Sequence, residues 1–214
     1  MLPPTPTFAT SIGPVLESLA IAATFLAAAS GALAAARLQQ TIVTFSFFAL
    51  VTGVGGGTVR DLLIGAPVFW VVDATPAIAC ISGAVLVWIT PRRWWSDRAL
   101  AWLDAFALAS FAVFGAAKAM SFGVPPFSAA IMGVVTGCVG GIMRDLLAGE
   151  PSILLRPELY VTVAAFASGL FVALRWIGLE VPVAGMIAAT LGFGLRAMAI
   201  WRGLGLPGYR EEEG

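Results

Sequence analysis

Apolar residues occupy seven long stretches of the chain, and short segments rich in polar residues or proline separate them. A helix that crosses a bilayer needs about 20 consecutive, mostly apolar residues. The pattern therefore predicts an all-α integral membrane protein with seven transmembrane helices, roughly at 15–36, 41–63, 73–90, 99–120, 125–147, 158–176 and 182–201. Because the connections are short, residues 1–214 are predicted to form a single membrane domain.

The composition supports the same class of protein. Hydrophobic residues make up 59% of the chain and charged residues 11%, whereas a soluble domain carries about 25% charged residues. The formal net charge is zero, which offers no electrostatic basis for binding nucleic acid. The chain has no histidine and no spacing typical of a metal site, so we expect neither enzyme activity, nor a metal site, nor a cofactor.

The basic residues predict an orientation in the membrane. If successive helices alternate in direction, one side receives seven arginines, Arg37, Arg92, Arg93, Arg98, Arg156, Arg202 and Arg210. The other side receives Arg175, with Arg60 and Lys118 near helix ends. Lys and Arg favour the cytoplasmic side. The N-terminus is therefore predicted outside and the C-terminus inside, in the cell (inner) membrane.

A fifteen-residue motif occurs twice in the chain. GVGGGTVRDLLIGAP spans 53–67, and GCVGGIMRDLLAGEP spans 137–151, 84 positions later, with nine identical positions. The motifs close the second and fifth predicted helices, so 15–90 and 99–176 are predicted to be two copies of a three-helix unit. Because three is odd, the second copy enters from the opposite face, as in the inverted repeats of many transporters. The seventh helix, 182–201, lies outside the repeat.

Glycines are concentrated at the same place in both copies, at Gly55, Gly56, Gly57, Gly140 and Gly141. Each costs about 1 kcal/mol of helix propensity relative to alanine, so the clusters predict a bend or break in the second and fifth helices. Freed backbone groups are tolerated in a membrane where they line a water-filled cavity. We therefore expect the breaks to line a path for a polar solute. Close helix packing through pairs of small residues is the alternative.

Seven charged residues fall inside or near the ends of the predicted helices: Glu17, Arg60, Asp61, Asp104, Lys118, Arg144 and Asp145. A charge at a helix centre costs about 2.5–3.5 kcal/mol, so each requires a partner. Adjacent helix residues do not face each other, and the Arg-Asp neighbours are therefore predicted not to neutralise each other. We expect three contacts between helices: Glu17 with Arg60, Asp104 with Arg144 and, as a weaker expectation, Asp61 with Lys118. These charges either serve a pore or only clamp the two copies together.

Lys118 has no charged counterpart, because the repeat places Ala34 at the equivalent position. An unmatched cation late in an apolar helix favours a gate or a voltage sensor. Hydroxyl side chains on the second and fifth helices are candidates to replace part of an ion's hydration shell: Thr44, Ser46, Thr52, Thr58, Ser128 and Thr136.

The chain resembles the prokaryotic members of the TRIC family, the trimeric intracellular cation channels. The resemblance rests on VTGVGGGTVRDLLIG, VTGCVGGIMRDLLAG, SGALAA and LDAFALASFAVFGAAKA, and it covers about residues 15–200. It implies a homotrimer in membrane lipid with a separate pore in each subunit, formed by the first, second, fourth and fifth helices, the second and fifth being kinked at their glycines. It also implies permeation of monovalent cations, chiefly potassium ions, and a gating role for Lys118.

The alternative function is a secondary transporter of a small zwitterion such as glycine, because inverted repeats with broken helices are also a feature of transporters. Seven short helices leave little mass for a rocking bundle, which favours the channel.

Overall fold

The computed structural model describes residues 14–96, 98–155 and 158–206. Its α-helices are α1 (Pro14–Arg37), α2 (Ile42–Leu63), α3 (Phe69–Val72), α4 (Thr75–Ile89), α5 (Ala99–Ser121), α6 (Pro126–Leu147), α7 (Val161–Trp176) and α8 (Val181–Arg202). Two 3-10 turns, Arg92–Trp94 and Ile153–Leu155, lie in the connections after α4 and α6. Seven of these helices match the predicted positions to within three residues. The four-residue α3 has no counterpart in the hydropathy pattern.

Five helices in the described part of the chain are long and apolar enough to cross a membrane: α1, α2, α5, α6 and α8, each of 22–24 residues. The helices α4 and α7 are apolar but have only 15 and 16 residues. At 1.5 Å per residue they are about 23 Å long, against a hydrocarbon core of about 30 Å. The chain is thus an all-helical membrane protein, as its hydropathy predicts.

Helices α1 and α5 lie at the centre of the bundle. α1 packs against α2, α4 and α5, and α5 also packs against α6, α7 and α8. Every residue of α1 from 27 to 35 is buried, and most are alanines, whose small side chains let neighbouring backbones approach closely. Two hydrophobic cores result, one mainly among α1, α2 and α4 and the other mainly among α5 to α8.

Asp73 orders the connection between α3 and α4. Its Oδ1 accepts hydrogen bonds from the backbone N–H of Thr75 at 2.9 Å and from the Thr75 hydroxyl at 2.8 Å. These bonds satisfy a free donor at the start of α4. They also lower the pKa of the Asp73 carboxyl, because they stabilise its ionised form.

Candidate functional site

Helices α2 and α6 cross through their glycine clusters. A methyl group added to Gly56 would overlap the carbonyl oxygen of Thr136, and one added to Gly140 would overlap the carbonyl oxygen of Thr52. The two contacts are reciprocal, because both glycines and both threonines are 84 residues apart. Since position 56 of α2 meets 136 of α6, and position 52 meets 140, the two helices run antiparallel at this crossing.

Equivalent glycine–threonine contacts also join α1 to α2 and α5 to α6. Gly31 of α1 lies against the side chain of Thr52, and Gly115 of α5 lies against the side chain of Thr136. In both places a methyl group would overlap the threonine hydroxyl oxygen. The four helices α1, α2, α5 and α6 therefore meet around these two threonines.

The predicted breaks in the second and fifth helices are wrong, and a bend at their glycines stays a prediction. Both α2 and α6 are helical without interruption through their glycine clusters. The glycines instead provide space: Gly55 for the neighbouring α6, Gly57 for the Phe69 ring and Gly141 for the Tyr160 hydroxyl. Each glycine costs about 1 kcal/mol of propensity, and the close contacts between helices outweigh that cost. The packing interpretation, which the sequence leaves open, accounts for these positions.

At one end of the crossing lies the Asp61 cluster, which consists of Arg60, Asp61 and Lys118. The Lys118 Nζ atom on α5 lies 2.8 Å from Asp61 Oδ1 and donates to Asp61 Oδ2 at 2.9 Å. Arg60 Nε donates to Oδ1 at 2.9 Å, and the backbone N–H of Phe69 donates to Oδ2 at 3.0 Å. The Arg60 guanidinium lies 5.8 and 5.5 Å from the ring centroids of Phe69 and Phe114. All three charged side chains are buried.

At the other end lies the Asp145 cluster, which consists of Asp104, Arg144 and Asp145. Arg144 Nη1 lies 2.6 Å from Asp104 Oδ1 on α5, and it donates to Ser30 Oγ on α1 at 3.2 Å. Arg144 Nε donates to Asp145 Oδ1 at 3.0 Å, and the backbone N–H of Ile153 donates to Asp145 Oδ2 at 2.8 Å. The antiparallel crossing places the two clusters about 20 Å apart along the helices, at 1.5 Å per residue.

The expected contacts of Asp104 with Arg144 and of Lys118 with Asp61 are confirmed by these distances. The expected contact of Glu17 with Arg60 is wrong. Glu17 is exposed in the first turn of α1, and no ion pair joins it to Arg60 in the ranges that the structure describes. Arg60 is buried because the Phe114 ring and the adjacent carboxylate already surround it.

The two arginines do pair with their sequence neighbours, which the helix-geometry argument excludes. Arg60 Nη2 lies 2.8 Å from Asp61 Oδ1, and Arg144 Nη2 lies 2.9 Å from Asp145 Oδ1. Adjacent Cβ atoms do point about 100° apart on a helix of 3.6 residues per turn. An arginine, however, carries its guanidinium on a long apolar stem, which folds back along the helix and reaches the next carboxylate.

The candidate hydroxyl side chains mostly bond to their own helix. The carbonyl oxygen four residues earlier accepts a hydrogen bond of 2.6–3.0 Å from Ser46, Thr52, Thr58 and Thr136. Thr44 lies in the first turn of α2, and Ser128 is exposed in the first turn of α6. A role in replacing an ion's hydration shell stays a prediction for these six residues.

A cavity of about 110 Å³ opens beside the Asp145 cluster. Residues of α1, α5, α6 and α8 line it, and seven of its lining side chains are charged: Arg37, Asp104, Arg144, Asp145, Glu150, Glu158 and Arg196. Four of these are acidic and three are basic, so their net formal charge is −1. Arg37 and Glu150 are exposed, so the excess of negative charge lies toward the opening of the cavity, whereas its four buried charges balance: Asp104, Arg144, Asp145 and Arg196.

Sequence reasoning missed three charged residues that line this cavity: Glu150, Glu158 and Arg196. Arg196 on α8 is 2% exposed, and its Nη2 lies 2.6 Å from Glu158 Oε2. The guanidinium also lies 5.4 Å from the ring centroid of Tyr160. The available signal was an arginine inside the last apolar stretch, because a charge within a membrane helix is costly and marks function. This ion pair joins α8, outside the repeat, to the charged cavity.

The chain is similar to known membrane proteins over most of its length. A family model described as Glycine transporter matches it twice, at residues 17–92 and 101–176. A UPF0126 membrane protein of Vibrio cholerae is 41% identical over 67% of this chain and 61% of its own length. The UPF0126 inner membrane protein YadS of Escherichia coli is 36% identical over 91% of this chain and 96% of its own length. The structure of the TRIC trimeric intracellular cation channel orthologue from Rhodobacter sphaeroides has 40% identity and a TM-score of 0.82, covering 89% of this chain and 99% of that chain.

The fold and the buried charges define a helical membrane protein whose central helices enclose charged groups. The chain belongs to the prokaryotic TRIC family, and the UPF0126 proteins and the family model described as Glycine transporter match the same chain. The resemblance carried by the glycine motifs is therefore confirmed.

Proposed function

We propose that the protein is a monovalent cation channel, permeable to potassium, with one pathway in each subunit of a homotrimer. The pathway runs among α1, α2, α5 and α6, and the glycine clusters let α2 and α6 bend as it opens. The relative from Rhodobacter sphaeroides is described as a trimeric intracellular cation channel. Its 40% identity and near-complete coverage support a cation channel here.

The observation that carries the proposal is the pair of buried charged clusters around the α2–α6 crossing. Ionisable groups inside a membrane are costly and mark ion pathways. The clusters lie about 20 Å apart along the helices, which is two thirds of a hydrocarbon core of about 30 Å. Carboxylates at both levels stabilise a cation in transit, and the neighbouring arginines hold those carboxylates in place.

Lys118 is proposed as the gate at the level of Asp61. Its ammonium contacts both carboxylate oxygens, so a cation at this level must displace it. Moving one elementary charge through the membrane potential is worth about 2.3 kcal/mol per 100 mV. An ammonium that moves along the field therefore makes opening depend on voltage.

Two observations support two inverted three-helix repeats. The family model matches both predicted copies. The contacts of Gly56 with Thr136 and of Gly140 with Thr52 are reciprocal across an antiparallel crossing, the relation that a two-fold axis in the membrane plane produces. In this arrangement α4 and α7 also span the membrane, and local thinning of the bilayer compensates for their short length.

The proposed orientation places the N-terminus outside and the C-terminus in the cytoplasm, with the protein in the inner membrane. Support comes from the arginine distribution and from the naming of YadS as an inner membrane protein. Fusions of a fluorescent protein and of alkaline phosphatase to the C-terminus test it. Fluorescence without phosphatase activity is expected, and the reverse result contradicts this orientation.

The channel is tested by recording purified protein in a planar bilayer under a tenfold KCl gradient. Discrete current steps that reverse near the potassium equilibrium potential are expected, about 59 mV for one charge. Protein-free bilayers and the same protein after heat denaturation are the controls. Reversal near the chloride potential, or silence from protein that remains folded and trimeric, contradicts the proposal.

A secondary transporter of glycine is the second candidate, because the matching family model is described as Glycine transporter. The cavity offers carboxylates for an amino group and arginines for a carboxylate group. Saturable uptake of labelled glycine into liposomes, together with silent bilayers, favours this function. Current steps without glycine uptake exclude it.

A further inference from the structure

Phe69, the first residue of α3, contacts the Asp61 cluster through both its backbone and its side chain. Its N–H donates to Asp61 Oδ2 at 3.0 Å. The centroid of its ring lies 5.6 Å from Lys118 Nζ and 5.8 Å from Arg60 Cζ. A cation within about 6 Å of a ring centroid, over the face of the ring, is attracted by it. One residue therefore bonds to the carboxylate and also attracts the ammonium that pairs with it.

The Phe69 ring occupies space that Gly57 leaves free on α2. A methyl group added to Gly57 would lie 2.6 Å from Phe69 Cε1, whereas carbon atoms in contact are about 3.5–4.0 Å apart. The ring stands at the end of a side chain, so it would move more readily than the helix backbone. A side chain at position 57 would therefore displace the ring from its place beside the ammonium.

Contacts on the C-terminal side of Phe69 hold α3 in place. The Trp70 indole N–H donates to the Thr58 hydroxyl on α2 at 2.9 Å. Asp73, the residue after α3, accepts hydrogen bonds from the backbone N–H and the hydroxyl of Thr75. The position of the ring is therefore set by the packing of α3 on α2 as well as by the cations beside it.

The ring and the ammonium occur together at one end of the crossing, and the equivalent positions at the other end have neither. Ile153, 84 residues after Phe69, donates its N–H to Asp145 Oδ2 at 2.8 Å. Its side chain is aliphatic, and the position equivalent to Lys118 is Ala34. The backbone hydrogen bond is thus common to both aspartates, whereas the aromatic side chain at this position accompanies the aspartate that carries an ammonium.

We propose that Phe69 is a positioning residue for the gate: its ring, seated against Gly57, holds the Lys118 ammonium on Asp61 and so favours the closed state. The attraction acts on the ammonium where it now lies and is lost when the ammonium moves away. Phe69 acts through Lys118 and does not itself carry the charge that senses the membrane potential. The inference rests on the proposed function, because the gate is that of the proposed channel.

Chemical modification of Lys118 tests the contact without any measurement of current. Lys118 is the only lysine in the sequence, so reductive methylation with formaldehyde and dimethylamine-borane, read by peptide mass spectrometry, follows one side-chain amine. Phe69→Leu keeps an apolar side chain and the backbone N–H, and it should increase the methylation rate of the purified full-length protein in detergent by about tenfold. Phe69→Tyr retains the ring and should keep the wild-type rate. Equal rates in the wild type and Phe69→Leu overturn the proposal.

Two controls accompany the methylation rates. The N-terminal amine, measured on a separate peptide, corrects for the activity of the reagent. Ile153→Val changes the position equivalent to Phe69 beside an aspartate whose copy has Ala34 in place of the lysine. It should leave the rate at Lys118 unchanged, and an increase equal to that of Phe69→Leu contradicts a specific role for the ring.

The voltage dependence of opening separates a positioning role from a general loss of stability. Phe69→Leu should raise the ratio of open to closed channels about tenfold at a fixed voltage. For one moving charge, this ratio corresponds to a shift of about 60 mV in the midpoint. The slope should not change, because Lys118 still carries the charge. An unchanged midpoint in Phe69→Leu, or an equal shift in Phe69→Tyr, contradicts the proposal.

Gly57→Ala tests the seat of the ring, because it should displace the ring and shift the midpoint in the same direction. In a Phe69→Ala background the same substitution should have no further effect, since residues in contact give non-additive changes. Gly53→Ala is the matched control on α2, because its methyl group would meet Cys80 and the Thr24 carbonyl instead. Its effect should be the same in both backgrounds. An effect of Gly57→Ala that is also the same in both backgrounds contradicts the seat.

The failure of this role and the failure of the channel give different results. A methylation rate that rises in Phe69→Leu and not in Phe69→Tyr, together with silent bilayers, supports the contact of the ring with Lys118 in a protein that is not a channel. Potassium current with the same midpoint and the same methylation rate in the wild type and Phe69→Leu supports the channel and overturns the role of Phe69.

Discussion

Lys118 Nζ on α5 lies 2.8 Å from Asp61 Oδ1 on α2, so a cation of one predicted copy pairs with a carboxylate of the other inside the bundle. The same hydrogen bonds recur at Asp145 in the second predicted copy, but the position equivalent to the lysine is Ala34 on α1. One end of the crossing therefore carries a tethered ammonium, and the other carries a cavity lined by charges of both signs. The two ends are electrically different although their glycine contacts and the hydrogen bonds of their aspartates correspond.

Replacing Lys118 with methionine should raise the open probability and weaken its dependence on voltage. The substitution removes the ammonium that covers Asp61 and keeps a side chain of similar length. Single-channel recording over about 100 mV in each direction measures both quantities, since one charge then gains or loses about 2.3 kcal/mol. Lys118→Arg keeps the charge and should keep the voltage dependence. Unchanged conductance and voltage dependence in both Lys118→Met and Lys118→Ala would refute the gate.

Gly56→Ala should destabilise the protein by about 1–3 kcal/mol, the usual cost of overpacking. The new methyl group would overlap the carbonyl oxygen of Thr136, which belongs to a rigid helix backbone. The free energy of unfolding in a detergent-to-SDS titration measures the loss.

Gly169→Ala on α7 is the matched control for the glycine prediction, because its methyl group would meet nothing within 4 Å. It should be neutral or stabilise the helix by up to about 1 kcal/mol. If both substitutions change the free energy of unfolding equally, the crossing at Gly56 is not the tight contact described above.

Arg196→Met should raise the potassium conductance at low salt. The change removes one positive charge from the cavity and leaves Glu158 unpaired, which raises the local cation concentration. The effect should shrink as KCl rises, because the Debye length falls from about 30 Å at 0.01 M to about 3 Å at 1 M. Single-channel conductance measured across that range gives the result.

Arg175→Met controls for the loss of any arginine, because the Arg175 guanidinium donates to the Leu179 carbonyl outside the cavity. It should leave the conductance unchanged at every salt concentration. An equal rise in both variants would point to a general effect of charge and not to the cavity.

Asp104→Asn should destabilise the protein by about 3 kcal/mol, toward the lower limit for breaking a buried ion pair. Arg144 would lose its partner on α5 and keep the one on its own helix, Asp145. Asp73→Asn removes an exposed carboxylate that bonds only across a turn, and it should cost less. Thermal unfolding of both variants in the same detergent compares them, and equal losses would contradict a stabilising role for the α5–α6 ion pair.

The sequence by itself determined the helices, the membrane class and the family. Long apolar stretches form helices in a bilayer because each helix satisfies its own backbone hydrogen bonds, a local requirement that hydropathy records directly. The repeat motif also predicted which charged positions would have related surroundings. The contact of Asp104 with Arg144 followed from the repeat, whereas the repeat also predicted the wrong contact of Glu17 with Arg60. The contact of Lys118 with Asp61 was the weaker expectation and is also present.

Only the tertiary structure decided what the glycines and the arginines do. The propensity cost of a glycine, about 1 kcal/mol, is comparable to the gain from one close contact, so the outcome at Gly56 depends on the Thr136 carbonyl that faces it. The long side chain of Arg60 reaches the adjacent carboxylate instead of Glu17, because its direction depends on neighbouring groups and not on the helix period. Arg196, which lies outside the repeat, pairs with Glu158, 38 residues earlier. This contact arises from three-dimensional packing, so no spacing in the sequence predicts it.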